Sequence, residues 1–143
     1  MKRALMVLML AAGGAAWAQM TPVGIWHSFD SKTGETKAEV RLTETEGVVS
    51  GRIEKLLRQG ADQATRCHDC DGDRKNQPVI GLEIIRGARK VADKDVWEGG
   101  KILDPESGHD YALRLTPIEG GRKLEVRGSF AFNDRTQTWV RVP

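Results

Sequence analysis

Residues 36–57 read TKAEVRLTETEGVVSGRIEKLL. Ala38, Val40 and Leu42 alternate with Lys37, Glu39 and Arg41, the two-residue period of a strand with one dry face and one wet face. A helix would instead space its apolar residues by three and four. Glu44-Thr45-Glu46-Gly47 supplies a turn, after which Val49, Gly51 and Ile53 share a face. The segment is an antiparallel hairpin, with strands at residues 36–43 and 48–57.

The same period recurs on both sides of this hairpin. A first strand is expected at residues 23–29, closed by the turn at 30–34. Beyond the hairpin, strands are expected at 81–88, 96–103, 109–115, 123–130 and 136–142. Tyr111, Leu113 and Leu115 align on one face, as do Leu124, Val126, Gly128 and Phe130. Asp104-Pro105-Glu106-Ser107-Gly108 and Glu119-Gly120-Gly121 are strong turn sequences. Gly99-Gly100 inside a strand points to a bulge or corner. The best helical stretch, residues 54–64, holds a turn or two at most. Eight strands joined mainly by tight turns favour neighbours in chain order. A flat sheet would leave one face wet and two edges open, whereas closure buries the face and removes the edges. The expected fold is all-β, a small eight-stranded antiparallel up-and-down barrel. A sandwich would need longer crossing connections.

The N-terminus reads as an address. Lys2 and Arg3 precede the apolar run 4–12, and Ala16-Trp17-Ala18 fits a small-x-small cleavage site. The run is shorter than the roughly 20 residues of a spanning helix. Residues 1–18 are therefore read as a signal peptide cleaved near Ala18, and residues 19–143 as a single barrel domain, periplasmic or secreted. The whole chain has 22 basic and 20 acidic residues. Without Lys2 and Arg3 they balance, and no polybasic block remains, so neither nucleic acid nor an anionic membrane is implied as partner. No membrane span is expected in the mature protein.

The two ends of the chain bear on closure. Gly24-Ile25-Trp26 opens the first strand and Trp139-Val140-Arg141 ends the last. In a closed barrel these strands are neighbours, and the Arg141 guanidinium can lie on the Trp26 indole and seal one end. The alternative is two unrelated core tryptophans and a solvent-facing arginine.

The G-x-W opening and the late arginine resemble the structural signature of lipocalins and their calycin relatives. The wider pattern resembles a bacterial exported family, domain of unknown function 2147. The matching pieces are Gly24-Ile25-Trp26, Gly51-Arg52-Ile53, Cys67-His68-Asp69-Cys70-Asp71-Gly72, Pro78-Val79-Ile80-Gly81-Leu82, the run from Trp97 to Pro105, Gly108-His109-Asp110-Tyr111, Arg127-Gly128 and Trp139-Val140-Arg141. The resemblance implies a small lipocalin-like barrel outside the cytoplasm and carries no established reaction. The chain departs from full lipocalins in ending at Pro143 without a C-terminal helix, so the resemblance does not extend to a large ligand cavity.

Chemistry is densest in residues 66–82, RCHDCDGDRKNQPVIGL, the one long connection. Cys67 and Cys70 admit three readings. An exported address favours a structural disulfide closing a tiny ring. A histidine between two cysteines suits a thiol–disulfide or metal-handling protein, the alternative function. Redox pairs, however, normally open a helix in a βαβ unit. A zinc or copper site lacks further ligands, since the other histidines are His27 and His109. Asp69-x-Asp71-x-Asp73 fails the calcium-loop pattern, with Ile80 at its twelfth position. No serine lies in a nucleophile elbow. Trp97, Tyr111 and Phe130 either line a cavity or fill the barrel, because eight strands enclose just enough room for side chains or one small ligand. The expected protein is a non-enzymatic barrel without cofactor or metal. It binds a small apolar ligand or an envelope partner.

Overall fold

The computed structural model describes residues 20–143. The expected leader at residues 1–18 and its cleavage point near Ala18 lie outside the described residues. Eight strands follow in chain order: β1 (Gly24–Phe29), β2 (Thr36–Thr45), β3 (Val48–Leu56), β4 (Glu83–Lys90), β5 (Trp97–Asp104), β6 (His109–Ile118), β7 (Lys123–Phe130) and β8 (Asn133–Arg141). Each pairs antiparallel with the next, and β8 returns to β1, so the sheet closes on itself. The fold is the up-and-down barrel that the alternation predicts.

Boundaries differ from expectation where side chains give no signal. The hairpin of β2 and β3 is tighter than the four-residue turn expected. Thr45 pairs with Val48, leaving only Glu46 and Gly47, both with positive φ. That geometry matches the twist of the flanking strands. β8 starts at Asn133 rather than residue 136, because the polar run Asn133-Asp134-Arg135 is ordered by backbone pairing with β7. No helix forms at residues 54–64. β3 runs to Leu56, and the Leu57 N–H donates to Lys37 O at 2.9 Å. The helical turn of the long connection is instead a 3-10 turn at Gly72–Arg74. The glycine pair in β5 does mark a bulge, with the register shifting between Glu98 and Gly100. A Cβ on Gly100 would run into the backbone of Arg86 to Ala88.

The strands give the barrel a vertical axis. The closed end holds the 46–47 turn, the 119–121 turn and the chain segment before β1. Here the interior is filled. Trp26, Leu42, Val49, Leu115 and Leu124 are fully buried, with Trp97 and Trp139 beside them.

One seam is short. β7 and β8 share eight register pairs, but β8 and β1 share two, Trp26 with Arg141 and His27 with Val140. Side chains reinforce it. Arg141 donates from Nε to Gly121 O at 2.7 Å, from Nη1 to Val23 O at 2.8 Å and from Nη2 to Thr21 O at 2.7 Å. Its guanidinium carbon lies 4.2 Å from the Trp26 ring centroid, and Trp26 Nε1 donates to Pro22 O at 2.8 Å. Burial pushes the Arg141 pKa below the ordinary arginine value. Gly24 has φ 142°, and a Cβ there would fall on the guanidinium. Glycine, tryptophan and arginine are thus one steric unit.

The long connection packs on the outer wall near the other end. Arg74 reaches both carboxylate oxygens of Asp110 at 3.1 Å and Glu83 O at 3.1 Å. Arg86 on β4 pairs with Asp73 at 2.7 Å. Cys67 and Cys70 are joined in a disulfide with both residues fully buried. Together with Val79 they belong to the buried cluster that includes Leu103, which the Leu103–Asp110 register turns outward. Gly108 fits against the Asp69 backbone so closely that a Cβ would collide with it.

Candidate functional site at the open end

Register and exposure together locate the site. Strand residues alternate between the two faces, so inward positions follow from any one of them. On β6 the inward set is Leu115, Leu113, Tyr111 and His109, and on β7 it is Leu124, Val126, Gly128 and Phe130. On β8 the partners are Trp139, Gln137, Arg135 and Asn133. Exposure rises along each set toward the open end. Leu124 and Trp139 are buried, Gln137 is half-buried, and Arg135 and Phe130 are exposed, Phe130 at 57%. A residue that faces the inside of a barrel and is still wet lines open space. On β6 to β8 the upper inward face is therefore wet, one side of a cup standing on a packed floor.

One wall of the cup is aromatic. His109 and Phe130 stack with centroids 6.2 Å apart, and Tyr111 meets Phe130 edge-on at 6.1 Å. Gly128 makes room for this. The position where its Cβ would stand is 3.2 Å from Tyr111 Cβ and 3.6 Å from Ile102 Cγ2, so the ring lies across a residue with no side chain. Ile102 and Leu56, both half-buried, extend the apolar lining onto β5 and β3. Gln137 accepts from Trp139 Nε1 at 3.2 Å, at the junction of cup and floor.

Charge bridges span the rim from the β1–β2 turn to the β5–β6 turn. Arg58 pairs with Asp30 at 2.6 Å and with Glu106 at 3.5 Å, and Lys37 reaches Glu106 at 3.3 Å. These contacts join the β1–β2 turn, the long connection and the β5–β6 turn. The N–H groups of Thr33 and Lys32, and then Arg58, hold the Asp30 carboxyl below the usual carboxylate range. The β7–β8 hairpin carries Phe132, fully exposed, at its tip.

Of the residues singled out from sequence, Tyr111 and Phe130 meet at the cup. Trp97 does not join them. It sits four residues lower, opposite Leu115, roughly 13 Å away along the strand. It belongs to the packed floor, with Lys90 Nζ 5.8 Å from its ring. Trp26 and Arg141 lie together at the closed end. The three histidines are dispersed. His27 bonds Glu39 at 3.1 Å, His68 bonds Asn76 at 3.2 Å and His109 stacks on Phe130. The described residues hold no group of three or more metal-ligating side chains. None of their helices is long and apolar enough to cross a membrane. An outer groove between β2, β3 and Gly81 carries Arg41, Arg52 and Lys55. Its arginines are already engaged, Arg41 with Glu54 and Arg52 with Glu83 and Gly81 O.

Two cup residues escape the sequence reading, His109 and Arg135. Counting inward in twos from Tyr111 and from Trp139 reaches both. On β8 the polar run Asn133-Asp134-Arg135 carries no apolar alternation to mark it as strand.

A family model described as "Uncharacterized protein conserved in bacteria (DUF2147)" matches residues 24–141. The matched span takes in every strand, the disulfide loop and the Arg141 seal. No curated protein is similar enough to match. Among solved structures, the chain is similar to protein HP1028 of Helicobacter pylori, which is described as belonging to the lipocalin family. The two share 20% identity with a TM-score of 0.71, over 85% of this chain and 82% of that one. At that identity the likeness speaks for the fold alone, a lipocalin-like barrel.

Proposed function

The chain belongs to this bacterial family, DUF2147, and from that premise we propose that its barrel binds one small, largely apolar ligand in the cup. The observation that supports this reading is the exposure of inward-facing Phe130 and Arg135 above a packed floor. An aromatic and aliphatic lining left in water is costly, at about 25 cal/mol for each Å² of apolar surface, and a ligand that covers it recovers that cost. Tyr111, Phe130, Ile102 and Leu56 offer such a lining without enclosing a large volume. The role is binding rather than catalysis, since the cup presents aromatic and aliphatic groups rather than a nucleophile with its base. The chain acts outside the cytoplasm, in the periplasm or secreted, a setting that the Cys67–Cys70 disulfide supports.

The test is a fluorescence titration of purified protein with N-phenyl-1-naphthylamine, a neutral apolar probe. Saturable binding at one site is expected, with at least about tenfold loss in the Tyr111→Ala, Phe130→Ala double variant, the worth of two aromatic contacts. No saturable binding, or binding indifferent to both substitutions, refutes the reading.

A further inference from the structure

We infer that the ligand is an amphiphile with an anionic head, a carboxylate on an apolar body, and that Arg135 reads the head. This rests on the cup being a ligand site. The register sets Arg135 opposite Gly128, whose missing side chain would point at Tyr111 and Ile102, so both residues are on the inner face. Gln137 and Trp139 continue the same column into the core. Arg135 therefore stands on the inner wall near the rim, on the strand next to the aromatic wall.

Its charge has no partner. Arg135 makes no ion pair and no side-chain hydrogen bond among the described residues. Two cations at the closed end behave differently. Lys90 lies over Trp97 and Arg141 over Trp26. The carboxylates of the upper barrel are engaged elsewhere. Asp134, on the outer face, pairs with Arg127, and the Ser129 hydroxyl, then that contact, hold its carboxyl below the usual range. Asp110 pairs with Arg74, and Glu106 with Lys37 and Arg58. Asp104 accepts from the Glu106 N–H at 2.9 Å and from the Ser107 hydroxyl at 3.0 Å. The charge left without a partner at the cup is one guanidinium beside its apolar lining, a fork suited to a carboxylate. An apolar body against Tyr111, Phe130 and Ile102 with its carboxylate at Arg135 satisfies both.

A rival role comes from the same strand. Above the two seam pairs β8 has no partner on its β1 side, and an inward charge on such an edge guards it against pairing with another chain. One experiment separates the two. Dodecanoate and 1-dodecanol share an apolar chain and differ in the head. Each displaces N-phenyl-1-naphthylamine from wild type and from Arg135→Gln and Arg135→Lys. The expected result is a preference of wild type for dodecanoate of at least about tenfold, the worth of one charge-assisted hydrogen bond. Arg135→Gln loses it with dodecanol affinity unchanged, and Arg135→Lys keeps part of it. Equal binding of the two ligands by wild type overturns the assignment of the head group and leaves the cup standing. A preference that survives in Arg135→Gln overturns the role of Arg135, and self-association of that variant then identifies it as an edge guard. If the naphthylamine itself does not bind, the ligand site fails first and this inference with it.

Discussion

Replacing Arg141 with alanine should cost about 3 kcal/mol of folding stability. The structure supplies the terms. Three charge-assisted hydrogen bonds run to Gly121, Val23 and Thr21, and the guanidinium covers Trp26 at 4.2 Å. Buried bonds of this kind contribute about 1.5–3 kcal/mol each and a cation–π contact about 1. The residue is only half-buried, and water can reach the freed carbonyls, so the sum falls to roughly 3 kcal/mol. The loss is not made up elsewhere, because the β1–β8 seam has only two register pairs. Urea unfolding followed by tryptophan fluorescence measures it. With a slope of about 2 kcal/mol per molar urea, the midpoint should fall by about 1.5 M. Arg141→Lys should recover less than half, since an ammonium cannot form the three-way fork or stack on the indole. Arg114→Ala is the control, removing an exposed outer-wall pair with Glu98, and should cost less than about 0.5 kcal/mol. A loss below about 1 kcal/mol for Arg141→Ala, or full rescue by lysine, refutes the view that this side chain closes the barrel.

Three further outcomes follow from other contacts. Serine at both Cys67 and Cys70 should cost about 2 kcal/mol on the loop-entropy model, with loss of protection from protease in residues 57–82 and an unchanged barrel far-UV spectrum; a collapsed barrel contradicts the placement of the loop on the outer wall. Gly100→Ala should destabilise by about 1–3 kcal/mol, as its Cβ meets the backbone of Arg86 to Ala88, and a neutral change in thermal unfolding refutes that close approach. Asp30, Glu39, Asp73 and Asp134 all have folded pKa values below their ordinary ones, held there by hydrogen bonds and nearby cations. Their contribution is complete above about pH 5 and lost as pH falls below about 4 through the depressed values. Asp30→Asn should therefore reduce the slope of stability against pH in that window, and an unaltered slope removes Asp30 from the account.

The barrel was legible because one face of nearly every strand is dry. Ala38, Val40 and Leu42 alternate with charge, and tight turns follow, so eight strands in chain order come almost directly from the period. Gly24, Trp26 and Arg141 were legible as a group only through closure, which brings residues more than a hundred apart in sequence into contact. The cup was harder to read. Its lining is inward but wet, so Arg135 and His109 look in sequence like ordinary surface residues. Hydrophobic alternation cannot reveal an inward face that is left wet. The disulfide loop is the converse case. Its dense Cys, His and Asp content looks like chemistry, yet both cysteines are buried and the charges are spent on Arg74–Asp110 and Arg86–Asp73.

That loop explains how the cup stays open. Strands packed on both faces resist collapse, whereas the upper part of β6 to β8 has little inside to pack against. On β4 to β6 the support comes from outside, where the loop buries Leu103 and clamps Asp110 and Arg86. At the rim the Asp30–Arg58–Glu106–Lys37 chain holds the turns together. Neither device reaches β8, whose upper half has a partner only in β7. The β7–β8 hairpin, carrying Phe130 and Arg135, is therefore the least braced part of the wall and also the part that contributes most to the cup. Low local stability is where binding segments are drawn from, because they must yield to admit a ligand and tighten once it is in place. Ligand binding should accordingly slow amide hydrogen exchange in residues 128–138 more than in β2 or β3, and uniform protection across the barrel would mean that the ligand enters elsewhere.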